Sequence, residues 1–436
     1  MLRNLGIKSF AINFFRVIKM RVVVLLLPTK YLQYAKTIQV IENLRDDYVI
    51  AEEWRNSVQL IRNGKFWEGV GKQKEILGHL HSKQSITNLN NEACFYSYRW
   101  GTHFGHFGAL GMKLRFDEIN LGYLPTRKMY VKNKFLFDKF RATLGDRIVP
   151  IHNIALLQFE RPTNWLEFEL LEMVRFGEGY IDHNSMHEMV FQSDAIDQEN
   201  APFQDLMTRD NLLKLLGLKS NDWFVALHIR NNKFLYDERK VDQHKFNPAI
   251  QAIIDAGGHV VQFGMNMNKV QGFDPSKVKL LSEIQGAEGL DLSVIAKAKF
   301  CLASASGPTD VAEAFGTPTL QTDSIASCLQ IKSSSKGSMY LPKRVLRNNK
   351  TLKFSELAET GLGYREVSLK EWAKESVTLQ ENSSTEILNA TLEMLYPENQ
   401  TSELSSRLQE IRAEYKILAQ GKIPESYLAS NDWMLS

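Results

Sequence analysis

The stretch Trp223-Phe224-Val225-Ala226-Leu227-His228-Ile229-Arg230 decides how this chain is read. With side chains alternating between faces, Val225, Leu227 and Ile229 fall on one side, and Phe224, Ala226, His228 and Arg230 on the other. Both faces are largely apolar, which predicts a buried strand with His228 and Arg230 pointing the same way at its carboxyl end. A buried guanidinium without a partner is costly. The partner is either an anion such as phosphate, which the planar fork of Arg matches, or an internal carboxylate such as Asp237.

Downstream, a charged loop leads to Asn247-Pro248, a cap and first-turn pair that opens a helix with Ile250, Ile253 and Ile254 on its buried face. His259 to Phe263 is the next strand, with Gly264 as the turn after it. Short strands at 277–281 and 300–303 follow, separated by a helix that Asp291 caps. Then comes Ser304-Ala305-Ser306-Gly307-Pro308-Thr309-Asp310. Small hydroxyl residues and Gly at a strand end, with Pro near a helix start, make an anion seat from backbone N–H groups and hydroxyls. Ser304, Ser306, Gly307 and Thr309 are its candidates. Placed beside His228 and Arg230, the seat predicts a diphosphate ligand.

Upstream, residues 94–100 read as a strand running into Gly101-Thr102-His103-Phe104-Gly105-His106-Phe107-Gly108-Ala109-Leu110-Gly111. A strand at 128–132, a helix at 135–144 and a strand at 147–152 continue the alternation, which implies a parallel sheet. Two readings of the glycines stand side by side. They let the backbone approach a ligand at the strand's carboxyl end, with His103 and His106 beside it, or Gly105, Gly108 and Gly111 only permit close helix–sheet packing. Zinc at His103 and His106 is not supported, because no further ligand lies at suitable spacing.

The chain has 436 residues, 44% hydrophobic and 24% charged, with 26 Gly and 12 Pro. That length suits two or three domains, and the composition excludes collagen-like, low-complexity and wholly disordered classes. The 53 basic and 50 acidic side chains leave a net charge of +3, too small an excess for a protein that coats nucleic acid. Cys94, Cys301 and Cys328 form neither a disulfide framework nor a zinc site. The near-neutral total hides an amino-terminal arm, residues 1–36, with seven Lys and Arg and no acid before Glu42. Its apolar stretches are too short to span a bilayer, and it lacks the pattern of a cleavable signal. It is either a basic amphipathic segment on an anionic membrane surface or a first helix packed on those that follow. A helix-turn-helix unit broken at residues 63–67 comes next. There is no P-loop, no dinucleotide Gly-x-Gly-x-x-Gly, no Gly-x-Ser-x-Gly elbow and no Asp-x-Asp pair. Sequons at Asn389 and Asn399 are set aside, since no signal peptide accompanies them.

In their order, Leu227-His228-Ile229-Arg230, Asn247-Pro248-Ala249-Ile250, Gly257-Gly258-His259-Val260-Val261, Ser306-Gly307 and Phe315-Gly316-Thr317-Pro318 resemble a family of bacterial glycosyltransferases found with surface-carbohydrate genes. Gly105-His106 and the closing Ile423-Pro424-Glu425-Ser426-Tyr427-Leu428 are similar to that family's flanking motifs, so the resemblance spans roughly residues 93–436. The family is similar in outline to the fucosyltransferase-like branch of GT-B glycosyltransferases. What this implies is an α/β chain of two Rossmann-like domains facing a cleft, preceded by a helical segment. The boundaries expected are 1–90 for the basic helical segment, 91–205 for the acceptor-side domain, 206–345 for the donor-binding domain and 346–436 for a helical tail packing back.

Carried over residue by residue, the resemblance implies Arg230 on the donor diphosphate with Ser306 and Gly307 beside it, and His228 orienting the phosphate or the donor sugar. Asp237 stands where the family commonly has an Asp, although Asn231-Asn232-Lys233-Phe234 departs from its usual wording. With Asp237, Gly264 and Gly105 are candidate donor or loop contacts. His106 or His103 would be the general base. The scheme needs no metal and no cofactor, only a nucleotide-sugar co-substrate, with a glycan or lipid-linked acceptor and no nucleic acid. A cytoplasmic location is expected, peripheral on the inner membrane face if the arm binds lipid. The alternatives are a sugar-nucleotide epimerase of two-Rossmann build and a non-catalytic nucleotide- or glycan-binding scaffold.

Overall fold

The computed structural model describes scattered positions from 53 to 75, then 95–96, scattered positions from 104 to 114, 127–130, 134–151, 199, and 201–436 apart from 206, 231–240, 265–266, 288, 325–335, 361–375, 398–401 and 416–420. Met1–Glu52 and Glu53–Ser436 are separate compact units, and every described residue belongs to the second. The basic arm therefore lies outside the described residues. Among the described residues here, Glu53, Asn56, Ser57 and Leu60 are helical, as are Glu68, Gly69, Gly71, Lys72 and Glu75 beyond Lys65. No helix of the described residues is long and apolar enough to cross a membrane.

The chain is a mixed α/β protein with parallel sheets. A small first sheet joins β1 (Phe95–Tyr96), β2 (Arg127–Tyr130) and β3 (Ile148–Ile151) in that order, all parallel, with α1 (Lys134–Leu144) as a crossover. After α2 (Arg209–Leu215) comes the larger sheet. Its strands are β4 (Phe224–His228), β5 (His259–Gln262), β6 (Val278–Leu280), β7 (Cys301–Ser304), β8 (Thr319–Ser324) and β9 (Met339–Pro342). They are parallel in the spatial order β6-β5-β4-β7-β8-β9. Numbered from β4, this is 3-2-1-4-5-6, the order of a doubly wound nucleotide-binding sheet.

The period-two reading of β4 is what the core shows. Val225, Leu227 and Ile229 join a cluster with Ile250 and Ile253 of α3 (Asn247–Asp255), Phe354 of α6 (Phe354–Thr360) and Ile387 of α7 (Ser384–Leu395). Phe224 and Ala226 join the opposite cluster, with Phe107, Leu110, Phe140, Leu213 and Phe203. That second face also carries α4 (Asp291–Lys297) and α5 (Gly307–Ala314). Side chains from both α/β halves thus share one core. The rings of Phe107 and Phe140 stack at 4.6 Å, and Phe203 meets Phe315 edge-on at 5.5 Å.

Local capping differs from the expectation in two places. Asn247 does not cap α3. A 3-10 turn, Gln243–Phe246, runs directly into the helix, and its own cap is Asp242, whose carboxylate accepts from the His244 N–H at 3.0 Å. Asp291 sits inside the first turn of α4 rather than at its cap, and it pairs with Lys139 of α1.

The carboxyl-terminal region, expected to be helical, also holds an antiparallel sheet of β10 (Arg344–Arg347), β11 (Lys350–Thr351) and β12 (Val377–Gln380). Asn348 and Asn349, with φ of 52° and 63°, form the two-residue turn between its first two strands. Two successive positive φ values match the twist of a tight hairpin, and Asn tolerates them better than most residues. The closing motif lies at α9 (Glu425–Ser430), where the Glu393 carboxylate accepts from the N–H groups of Glu425 and Ser426 at 2.9 and 2.8 Å. Glu425 in turn accepts from the hydroxyls of Ser402 and Ser405 at the start of α8 (Glu403–Glu414). These contacts bind the tail's helices to one another.

Candidate functional site at the strand-order reversal

From β4 the chain winds outward through β5 and β6, then returns to the other side of β4 to lay down β7, β8 and β9. Connections leave the β4–β7 pair in opposite directions, which opens a crevice at the carboxyl ends of these two strands. Open α/β sheets bind their ligands there. His228 pairs in register with Ala303, so Arg230, just beyond β4, and Ser304 and Ser306, at the end of β7, flank the same opening.

Hydrogen bonds join the two sides. The Arg230 backbone N–H donates to Ser304 Oγ at 2.9 Å. Ser306 Oγ–H donates to the Ser304 carbonyl at 2.7 Å and meets His228 Nδ1 at 3.0 Å. Ser306 is the N-cap residue of α5, yet its hydroxyl makes no cap bond, because it is turned toward His228. Thr309 Oγ1 donates to the Ser306 carbonyl at 2.7 Å. The positive end of α5, with the Gly307 amide first in line, therefore adjoins Arg230, an arrangement suited to an anion.

The His228 ring is held neutral. Burial, and after it the charge of Arg230, lower its pKa to about 4 against the weaker opposing pull of Asp291. The ring lies 5.5 Å from that of Phe263 and against Gly264. Gly264 has a φ of +125°, and a Cβ there would come within 3.0 Å of His228 Cδ2, so only glycine suits both its backbone and its neighbour. Beneath the strand end, burial pushes the Cys301 thiol up to about 12, which leaves it an inert core group.

Of the two readings offered for the upstream glycines, close packing is what the described residues show, against a helix rather than the sheet. A Cβ on Gly105 would fall 2.4 Å from Gly307 Cα, and one on Gly108 would fall 2.4 Å from the carbonyl carbon of Asp310. Gly105, at a helical position, thus abuts Gly307 at the start of α5. His103, His106 and Asp237 lie outside the described residues.

Sequence reasoning passed over two buried polar pairs near this edge. Tyr340 donates to Glu313 of α5, and both side chains are buried. The signal was present, since Glu313 interrupts the apolar run Val311, Ala312, Ala314. On β8, Asp323 adopts a φ of 53° and exchanges hydrogen bonds with Asn382, the N–H of each meeting the other's side-chain oxygen at 2.7 and 2.9 Å. Nothing local announces a pair so distant in sequence. Among the described residues, no group of three or more His, Cys, Asp and Glu side chains converges.

No protein-family model matches the sequence, and no curated protein matches it. Solved structures similar to it include a glycosyl transferase family 9 protein from Veillonella parvula, at 12% identity and a TM-score of 0.45, covering 72% of this chain and 99% of that one. The iron-containing dodecameric glycosyltransferase TibC of enterotoxigenic E. coli aligns at 11% identity and a TM-score of 0.29, over 57% of this chain and 60% of that one. E. coli heptosyltransferase WaaC, crystallised with ADP-2-deoxy-2-fluoro heptose, aligns at 12% identity and a TM-score of 0.27, over 64% and 98%. These superpositions are loose, and the functional reading rests on the site's own geometry.

Proposed function

We propose that the chain is a GT-B-type glycosyltransferase, which takes a sugar from a nucleotide-sugar donor in the β4–β7 crevice. It would pass that sugar to a glycan or lipid-linked acceptor of a surface polysaccharide or glycolipid. The observation that carries this reading is the meeting of Arg230, Ser304 and Ser306 with the start of α5 at the reversal of strand order.

In this scheme the acceptor hydroxyl attacks the anomeric carbon while the bond from that carbon to the diphosphate oxygen breaks, its electron pair leaving with the diphosphate. The guanidinium of Arg230 and the first amides of α5 stabilise the charge that develops there. The acceptor's proton passes to a general base, for which His106 and His103 are the candidates. The packing of Gly105 on Gly307 supports this choice, since both histidines flank Gly105 in sequence. No metal enters the scheme. The arm 1–36 would hold the enzyme at the inner face of the cytoplasmic membrane, near lipid-linked acceptors.

The test is a thermal-shift panel of nucleoside diphosphates and nucleotide sugars. A ligand at 100 times its Kd adds about 2.7 kcal/mol to stability. Silence from every nucleotide overturns the reading. Stabilisation that persists unchanged in Arg230→Ala moves the donor site elsewhere.

A further inference from the structure

The hydrogen bonds around Ser306 decide which nitrogen of His228 carries its proton. A hydroxyl has one proton to give and lone pairs to receive with. Ser306 donates its proton to the Ser304 carbonyl at 2.7 Å, and a carbonyl can only accept. The contact between Ser306 Oγ and His228 Nδ1 at 3.0 Å must then run the other way, with Nδ1–H donating. In a neutral imidazole the second nitrogen, Nε2, is left as a bare acceptor. A phosphate oxygen is an acceptor too, so this ring has nothing to offer one.

Nε2 is placed to meet something else. It sits at the carboxyl end of β4, on the edge of the ring that faces Gly264. A Cβ at 264 would stand 3.2 Å from Nε2 and 3.1 Å from the Met267 methyl, so it is a glycine that lies against this edge of the ring. No described residue donates to this nitrogen.

We propose that His228 Nε2 accepts a hydrogen bond from a hydroxyl of the bound donor, on its ribose or its transferred sugar, and so selects hydroxylated ligands while Arg230 takes the diphosphate. This rests on the donor site proposed above. Burial and the charge of Arg230 keep the imidazole neutral and preserve that acceptor through the physiological pH range.

Two measurements test it. The first is nitrogen NMR of the ligand-free protein labelled at histidine, with His228 assigned by its loss in His228→Asn. Nδ1 protonated and Nε2 bare at pH 7 is the expected pattern, and a proton on Nε2 overturns the proposal. The second is titration calorimetry of ADP, GDP, UDP, their 2′- and 3′-deoxy counterparts and their sugar conjugates. His228→Asn keeps an amide N–H near the position of Nδ1 and removes the acceptor. It should weaken the hydroxylated ligand about tenfold, with no further loss for the deoxy ligand that lacks the recognised group.

Weakening of the nucleoside diphosphates themselves assigns the hydroxyl to ribose. Weakening confined to the sugar conjugates assigns it to the sugar. Unchanged affinity in His228→Asn, with binding lost in Arg230→Ala, rejects the role of His228 and leaves the donor site standing. No binding by the unaltered protein removes the donor site and this proposal with it.

Discussion

The backbone N–H of Arg230 donates to the hydroxyl of Ser304 at 2.9 Å, so the end of one central strand is held by the end of its neighbour. Ser304 is fully buried, and its side chain is the acceptor on which this bond depends. Ser304→Ala removes that acceptor from a partly buried donor, at a cost of about 1–3 kcal/mol. Chemical denaturation should register the loss. Nucleotide affinity should fall with it, because the residue carrying the guanidinium is no longer tied to β7. A variant as stable and as tightly binding as the parent would show that the bond across the crevice has no consequence.

The contact between the glycine-rich helix and α5 leaves no room for a methyl group. Gly108→Ala would place a Cβ 2.4 to 2.5 Å from the backbone of Asp310 and Val311, where no side chain can rotate aside. Overpacking of this kind costs about 1–3 kcal/mol, and here the penalty falls on the junction between the two α/β halves. Gly71, a helical position with nothing within 4 Å of its would-be Cβ, is the control. Gly71→Ala should leave stability unchanged or raise it by up to about 1 kcal/mol through helix propensity. Equal melting temperatures for the two variants would remove the steric account of Gly108.

What could be read from the sequence was what local patterning controls. The alternation along Val225, Leu227 and Ile229 against Phe224 and Ala226 named both faces of the central strand, because period two follows from the pleat itself. The end of β7 running into α5 was legible from the small residues and Pro308. What failed depended on partners far along the chain. Asp291 reads as the cap of its helix, but it stands inside the first turn and Lys139 takes its carboxylate. The glycines at 105 and 108 fit a ligand loop as well as a packing contact in the sequence, and the contact with Gly307 and Asp310 could not be read there.

The closing motif is legible as a motif and not as a function. Glu393 accepts from two backbone N–H groups at the start of α9 and from the Ser426 hydroxyl, so it caps a helix that has no cap of its own. Glu393→Ala should cost about 0.5–2 kcal/mol in unfolding free energy. Nucleotide affinity at the Arg230 site should stay as it was, since these bonds hold the tail's own helices. A variant that keeps its stability but loses nucleotide binding would place the motif in the donor site instead.

His228 also makes stability depend on pH, with a definite sign. Its pKa is about 4 in the folded protein and 6.5 when unperturbed, so between those values the unfolded chain binds a proton that the folded chain does not. Stability therefore falls as pH drops from 6.5 toward 4, and the term is constant outside that window. A shift of this size corresponds to roughly 3 kcal/mol over the window. Arg230 deepens the effect and Asp291 opposes it, through the proton they disfavour or favour on the ring. Burial lowers the pKa of His259 as well, with the same sign, so the parent's curve alone mixes the two histidines. The difference between the parent and His228→Asn isolates one of them. Denaturation midpoints measured from pH 7.5 to 4 should converge as acid erodes the parent and spares the variant. Parallel curves would mean that the ring accepts its proton in the folded state as readily as in the unfolded chain, and its neutral acceptor form would then fade below about pH 6.5 instead of persisting toward pH 4.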